Sequence, residues 1–458
     1  MAQVTENILN MSAVDLVAAV SAGIISPADV VKDVLVRIER RNSDLNAICA
    51  INPDLEVDAQ TIARRLDTGE DLPLAAVPVV IKDNIWVAGL PVTQGSRLFA
   101  DFRAPQDAQV VAALRDAGAL IVGMATCSEF ACKGVTNTPL HGITRNSHDQ
   151  TRTTGGSSGG PVAAVAGGMA LLAIGTDAGG SSRRPPAHTG LVGFKPSQDY
   201  LPYGPGFDEP VDGISVICPI ARRVEDAALC LRVLEGEDAV QTSSGGDIRR
   251  VAVSRDFGVG QVLDPDMQSA FDTAVRVLRQ SGYEVVEDAP DWQQLDGGSV
   301  MPLQFAGLAR LFGDTFKETP EAFDPDIAVQ IKTGLALTND DIAVAQSASA
   351  RMGEILRGFL SDYDAIIVPT TPCAAWPVED IAPKTIGGKP CAPRDHAAFT
   401  PQANHAGVPA ISIPCGRTQE GLPLGLQLIS AYGRDRDLLA FAKDVADRLT
   451  SPTKSKDI

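Results

Sequence analysis

Histidine is scarce in this chain: its 458 residues include five, His141, His148, His188, His396 and His405. His141, His148 and His188 flank serine-rich turns, yet an isolated histidine is more often a loop or packing residue than a catalyst. Positive charge is also short, with 39 Lys and Arg against 57 Asp and Glu and a net charge of -18. That balance argues against nucleic-acid binding, which calls for basic patches, and against adhesion to anionic membranes. No segment approaches the roughly 18 continuous apolar residues of a membrane helix. Met1-Ala2-Gln3-Val4-Thr5-Glu6 lacks the basic and apolar regions of a signal peptide. The eight cysteines, Cys49, Cys127, Cys132, Cys218, Cys230, Cys373, Cys391 and Cys415, form no CxxC pair and no His-linked metal spacing. They read as reduced thiols of a cytoplasmic protein without metal. No linker or repeat divides the chain, so 1–458 is expected to be one unit.

Glycine and serine are abundant in two places. Thr153-Thr154-Gly155-Gly156-Ser157-Ser158-Gly159-Gly160 is followed by Gly175-Thr176-Asp177-Ala178-Gly179-Gly180-Ser181-Ser182-Arg183, and the small or apolar residues Pro161 to Leu172 between them read as one buried helix. So much glycine implies backbone that bends sharply or approaches something closely. Three readings compete. A phosphate cradle would use glycine and a helix N-terminus, but the Lys-Ser/Thr pair that closes a P-loop does not follow Gly160. Two tight structural turns would explain either segment alone. Nucleophilic catalysis would use backbone N–H groups around a serine as an oxyanion hole, and it needs a base.

A lysine fits that need better than a histidine. Val77-Pro78-Val79-Val80-Ile81-Lys82-Asp83-Asn84 places Lys82 at the end of a β-branched run that reads as a buried strand. An unperturbed lysine, with a pKa of about 10.4, is neutral in only about one molecule in 2,500 at pH 7. Desolvation lowers that pKa.

Six ordered pieces carry a specific resemblance: Val77 to Asn84, Gly89 to Ser96, Thr144-Arg145-Asn146, Gly155 to Gly160, Gly175 to Ser181, and Gly190-Leu191-Val192-Gly193-Phe194-Lys195-Pro196. In order and spacing they resemble the amidase signature family, and Phe399 to Gln427, with Asn404, resembles its C-terminal segment. The resemblance implies an α/β fold with a mixed central β-sheet covered by helices on both faces. It implies a Ser-cisSer-Lys triad: Lys82 as base, Ser157 after a cis peptide as proton relay, and Ser181 as acylating nucleophile. The oxyanion donors would be the N–H groups of Ala178, Gly179, Gly180 and Ser181. Ser158 would be a supporting hydroxyl, Asp177 would hold the loop by accepting N–H bonds, and Arg183 would be a structural arginine. No metal or organic cofactor is implied. The expected reaction is hydrolysis of a small carboxamide, aryl amide or ureide. Some relatives of this fold instead produce ammonia within a tRNA-dependent amidotransferase, a role that needs partner chains.

Departures from the family pattern bear on the substrate. Ser181-Ser182-Arg183-Arg184-Pro185-Pro186 carries an extra arginine, Arg184, at the place where malonamidase-like members bind a substrate carboxylate. Guanidinium geometry suits carboxylate capture, and an ion pair with an internal acid is the alternative. Met124-Ala125-Thr126-Cys127-Ser128 lacks the lysine many relatives carry there. Thr126, Cys127 and Val135 are expected to line the acyl pocket, and Trp376 to pack at the surface or touch substrate. A homodimer is an expectation that no residue specifies.

Helical spacing predicts helices over 27–41, 108–117, 227–234, 265–281 and 339–360, and a strand at Leu120-Ile121-Val122. Tyr200 to Gly213 and 368–394 read as loops, the second near the pocket mouth. The expected sections are an N-terminal helical segment at 1–65, a catalytic core at 66–200, a variable helical region at 201–360, and the rest of the core at 361–458.

Overall fold

In the computed structural model, residues 8–211, 213–235, 247–295 and 299–450 are described, and they contain an eleven-stranded mixed sheet. The Met1–Glu6 segment lies outside them. The β-branched run forms the strand Pro78–Lys82, buried along its whole length. It lies between two parallel neighbours, Leu120–Ala125 and Leu172–Asp177. Strands buried on both faces read as unbroken apolar runs. From Leu172–Asp177 the sheet continues antiparallel through Val216–Ala221, Val192–Lys195, Ala410–Arg417, Pro423–Ser430 and Ala365–Pro369. Arg250–Val253 and Glu284–Glu287 then add in parallel, and Ile48–Ile51 closes the opposite edge. Helices cover both faces, as expected for this fold class.

Local chemistry accounts for the element ends. The helix Pro27–Leu45 starts with proline in its first turn and Ser26 capping the Asp29 amide at 3.1 Å. It runs four residues beyond the predicted end, to a left-handed Asn46. Gln109–Asp116, Val224–Leu234, Pro265–Gln280 and Asn339–Phe359 match predicted helices closely. The buried helix expected over Pro161 to Leu172 is a correction: it spans Gly159–Ala166, and Leu172 already begins a strand. Gly167 caps the helix and Gly168, at φ +75°, turns the chain, so apolarity there reflects burial of two elements. The section expected to be helical at 201–360 also contributes three strands to the sheet, Val216–Ala221, Arg250–Val253 and Glu284–Glu287. The loop at 368–394 contains a minute hairpin, Thr385–Ile386 with Lys389–Pro390.

Candidate active site

Parallel register sets the site. Ile81 pairs with Ile174, so Lys82 and Thr176 emerge together at the carboxyl ends of adjacent strands, where open α/β sheets place their ligands. Lys82 is fully buried and donates to Ser157 Oγ and to Thr176 Oγ1, each at 2.8 Å. Burial lowers its pKa from the ordinary lysine value, partly offset by Cys127, Glu209 and Asp177. Thr176 Oγ1 also accepts from Asn84 Nδ2 at 3.1 Å. Ser157 follows a cis peptide from Gly156. An added Cβ on Gly156 would stand 2.7 Å from the Val135 backbone, so this turn has no room for a side chain there.

Asp177 shapes the second turn. Its carboxylate accepts from Gly180 N at 2.7 Å and Ser182 N at 3.0 Å, the two amides either side of Ser181. It also pairs with Arg183, through Nε at 3.1 Å and Nη2 at 2.9 Å, with both side chains wholly buried. Burial pushes the Asp177 carboxyl up, but the Arg183 charge, with hydrogen bonds from Arg183, Asn404 and Ser182, outweighs it and holds the carboxyl below its usual range. Arg183 Nη1 reaches Thr400 O at 2.8 Å and Gln427 Oε1 at 2.6 Å, and Nη2 reaches Asn404 Oδ1 at 2.5 Å. Asn404 Nδ2 donates back to Asp177 O at 2.9 Å. Gln427, Thr400 and Thr176 were not singled out from the sequence. Gln427 and Thr400 come from distant parts of the chain, and Thr176 looked like one more residue of a glycine-rich turn.

The structure brings Lys82 and Ser157 into contact and leaves Ser181 on the clamped turn, 7% exposed. Ser158 Oγ lies 3.4 Å from both Thr176 O and Ser182 Oγ, beneath that turn. Of the four amides expected to receive an oxyanion, that of Gly180 is a correction, since it is spent on Asp177. Thr126 is a second correction: it is 1% exposed, and its hydroxyl pairs with Thr144 Oγ1 at 2.6 Å. Gly160 packs onto its backbone, which draws Thr126 into the helix seat instead of the pocket wall. Cys127 is fully buried, and Val135 packs with Cys373, Trp376 and Ile386.

Arg184 is buried, with 4% exposure, and among the described residues it has no carboxylate within 4.0 Å. The internal ion pair held open as an alternative is absent there. Its Nε donates weakly to Gly180 O at 3.4 Å and its Nη1 has no partner. Burial, then repulsion from Arg394, lowers its pKa to about 9.

Of the histidines near the turns, His148 bonds Thr189 O at 2.9 Å, and His141 Nε2 lies 3.4 Å from Asp83 Oδ2. Cys49, Asp83 and His141 place three donor atoms within 4.8 Å, a cluster invisible to local cysteine spacing. Asp83 already accepts from Thr93 N at 2.7 Å and Gly95 N at 3.1 Å, so the group is knitted by internal hydrogen bonds. His188 packs against the serine turn, its Cδ2 3.0 Å from an ideal Cβ on Gly155. No described helix is long and apolar enough to cross a membrane.

Fold and site together define an α/β protein in which a buried lysine meets a serine at the carboxyl ends of parallel strands. A family model described as Amidase matches residues 29–439, and the chain belongs to that family, whose members act on amide C–N bonds. The chain is 32% identical to an acylamidase of Rhodococcus erythropolis, covering 95% of each. It is 34% identical to a Glutamyl-tRNA(Gln) amidotransferase subunit of Chloroflexus aurantiacus, covering 94% of this chain and 95% of the relative. A solved bacterial aryl acylamidase of the amidase signature family superposes with a TM-score of 0.86 at 26% identity, over 96% of both chains.

Proposed function

We propose that this protein is an amidase that cleaves a small, carboxylate-bearing amide through an acyl-enzyme on Ser181. The observation that carries the chemistry is the buried Lys82 bonded to Ser157 Oγ at 2.8 Å beside the Asp177-clamped turn. Neutral Lys82 draws a proton from Ser157 as Ser157 takes one from Ser181, and the Ser181 oxygen attacks the amide carbonyl. The amides of Ala178, Gly179 and Ser181 are free of internal hydrogen bonds among the described residues, so they are the donors for the developing oxyanion. Collapse breaks the C–N bond as the relay returns the proton to the leaving nitrogen. Water then repeats the sequence on the acyl ester, releasing the acid and restoring Ser181. Each step needs only side chains, backbone amides and water.

The acidic substrate rests on Arg184, a buried guanidinium without a carboxylate partner. Buried charges are ordinarily paired, and a substrate anion supplies the missing one. Ammonia or amine release from matched acidic and neutral amides tests this. Arg184→Leu should raise KM for acidic amides about 10- to 100-fold, the loss of a charged hydrogen bond in a dry site, and affect neutral amides far less. Equal loss on both classes refutes the anion role. The 34% identity to an amidotransferase component supports a second reading, release of ammonia from glutamine within a multi-chain assembly. Glutamine hydrolysis that appears only with added partner chains would favour it.

A further inference from the structure

Arg184 does not stand alone. His188 lies four residues on in the helix Arg184–Thr189, on the same face. Both of its ring nitrogens are buried without a partner, as is Nδ1 of His396. Trp376 joins the two imidazoles: its ring meets that of His188 edge-on at 5.4 Å and that of His396 at 4.7 Å. The indole N–H is already given to Asp380 O at 2.9 Å, so Trp376 satisfies neither imidazole through it. Backbone closes on both histidines. An ideal Cβ would stand 3.0 Å from His188 Cδ2 at Gly155 and 2.6 Å from His396 Cε1 at Gly134. The Thr153 amide donates to Trp376 O at 2.9 Å, tying this wall to the turn that carries Ser157.

Buried polar atoms in folded proteins nearly always have partners. Four without one, Arg184 Nη1, the two nitrogens of His188 and His396 Nδ1, therefore mark a surface that a ligand completes. Burial, with Arg184 adding repulsion, lowers the His188 pKa to about 3 and that of His396 well below its ordinary value, so both are neutral near pH 7. A neutral imidazole carries one N–H donor and one acceptor. A carboxylate has two oxygens to satisfy.

We propose that His188 and His396, braced by Trp376, form with Arg184 a specificity subsite for the carboxylate of the substrate's acyl group. The imidazole N–H groups donate to the oxygen that Arg184 Nη1 leaves open. This deepens the acidic-amide reading above and rests on it. An apolar acyl group of the same size would leave these polar atoms unpaired, and sites built for hydrogen bonding reject such analogues strongly.

The test compares kcat/KM for succinamate with that for butyramide in the wild type and in His188→Phe, His188→Gln, His396→Phe and Arg184→Leu. The expected result is a wild-type preference for succinamate that falls about tenfold in His188→Phe through KM, with most of it recovered in His188→Gln, which keeps a donor. A fall of the same sign is expected in His396→Phe. If His188→Phe does not accumulate as folded protein, the His396→Phe ratio decides. A preference lost in Arg184→Leu but unchanged in both Phe variants overturns the histidine subsite alone. A wild type without the preference overturns the acidic-amide reading and this proposal together.

Discussion

Replacing Asp177 by asparagine removes the charge that organises the turn carrying Ser181. One carboxylate oxygen takes Gly180 N, Arg183 Nη2 and Asn404 Nδ2, and the other takes Ser182 N and Arg183 Nε. An amide keeps one oxygen and turns a donor toward donors already aimed at the other. Arg183 stays fully buried with its charge unmatched, and breaking a buried pair from one side costs about 3 to 5 kcal/mol. Its contacts to Thr400 O, Gln427 Oε1 and Asn404 Oδ1 survive, which places the expected loss at the lower end, about 3 kcal/mol. Equilibrium urea unfolding of Asp177→Asn, Arg183→Met and the double variant measures it. The double variant should be less destabilised than the two singles together, since neither charge is then left alone. Activity should fall about 100-fold as Ser181 loses the amide clamp beside it. A loss under about 1 kcal/mol with kcat/KM within about threefold of wild type would refute the view that this pair holds the turn.

Two titrations follow from the surroundings of Lys82 and the partly buried His405. Burial lowers the Lys82 pKa, so kcat/KM should rise with unit slope as pH approaches that pKa and level off above it. The midpoint should lie below that of an ordinary lysine, the limb should vanish with the activity in Lys82→Met, and a midpoint at about 10.4 would contradict a desolvated base. Burial also lowers the His405 pKa to about 4, so the folded state holds this ring neutral where the unfolded chain, with a pKa near 6.5, is protonated. The unfolded state binds the extra proton, so this stability is present above about pH 6.5 and is lost as pH falls toward 4. His405→Gln should therefore lose about 1 kcal/mol less than wild type between pH 7 and 5.5, read from urea unfolding at the two values.

The buried strand ending in Lys82 and the two glycine-rich turns were legible because each leaves a local signature, whereas the roles of Lys82, Ser157 and Ser181 came from the family resemblance. A β-branched run ending in Lys82 has to be a buried strand, and glycine in the two turns is demanded by backbone approach, as at Gly156 against Val135. The helix start at Ser26-Pro27 likewise acts within a few residues. What only the tertiary structure decided involves partners far apart in the chain. The Pro161 to Leu172 run was misread because burial makes a helix and the next strand equally apolar, and only the turn at Gly168 separates them. The commitment of the Gly180 amide to Asp177 depends on loop geometry that spacing does not encode. Arg184 could equally have met an internal acid, and the fold brings it instead near His188 and His396, which Trp376 bridges from a distant loop. Backbone propensity and burial act locally and are written in order along the chain, whereas the pairing of buried charges is settled only when distant strands and loops close around them.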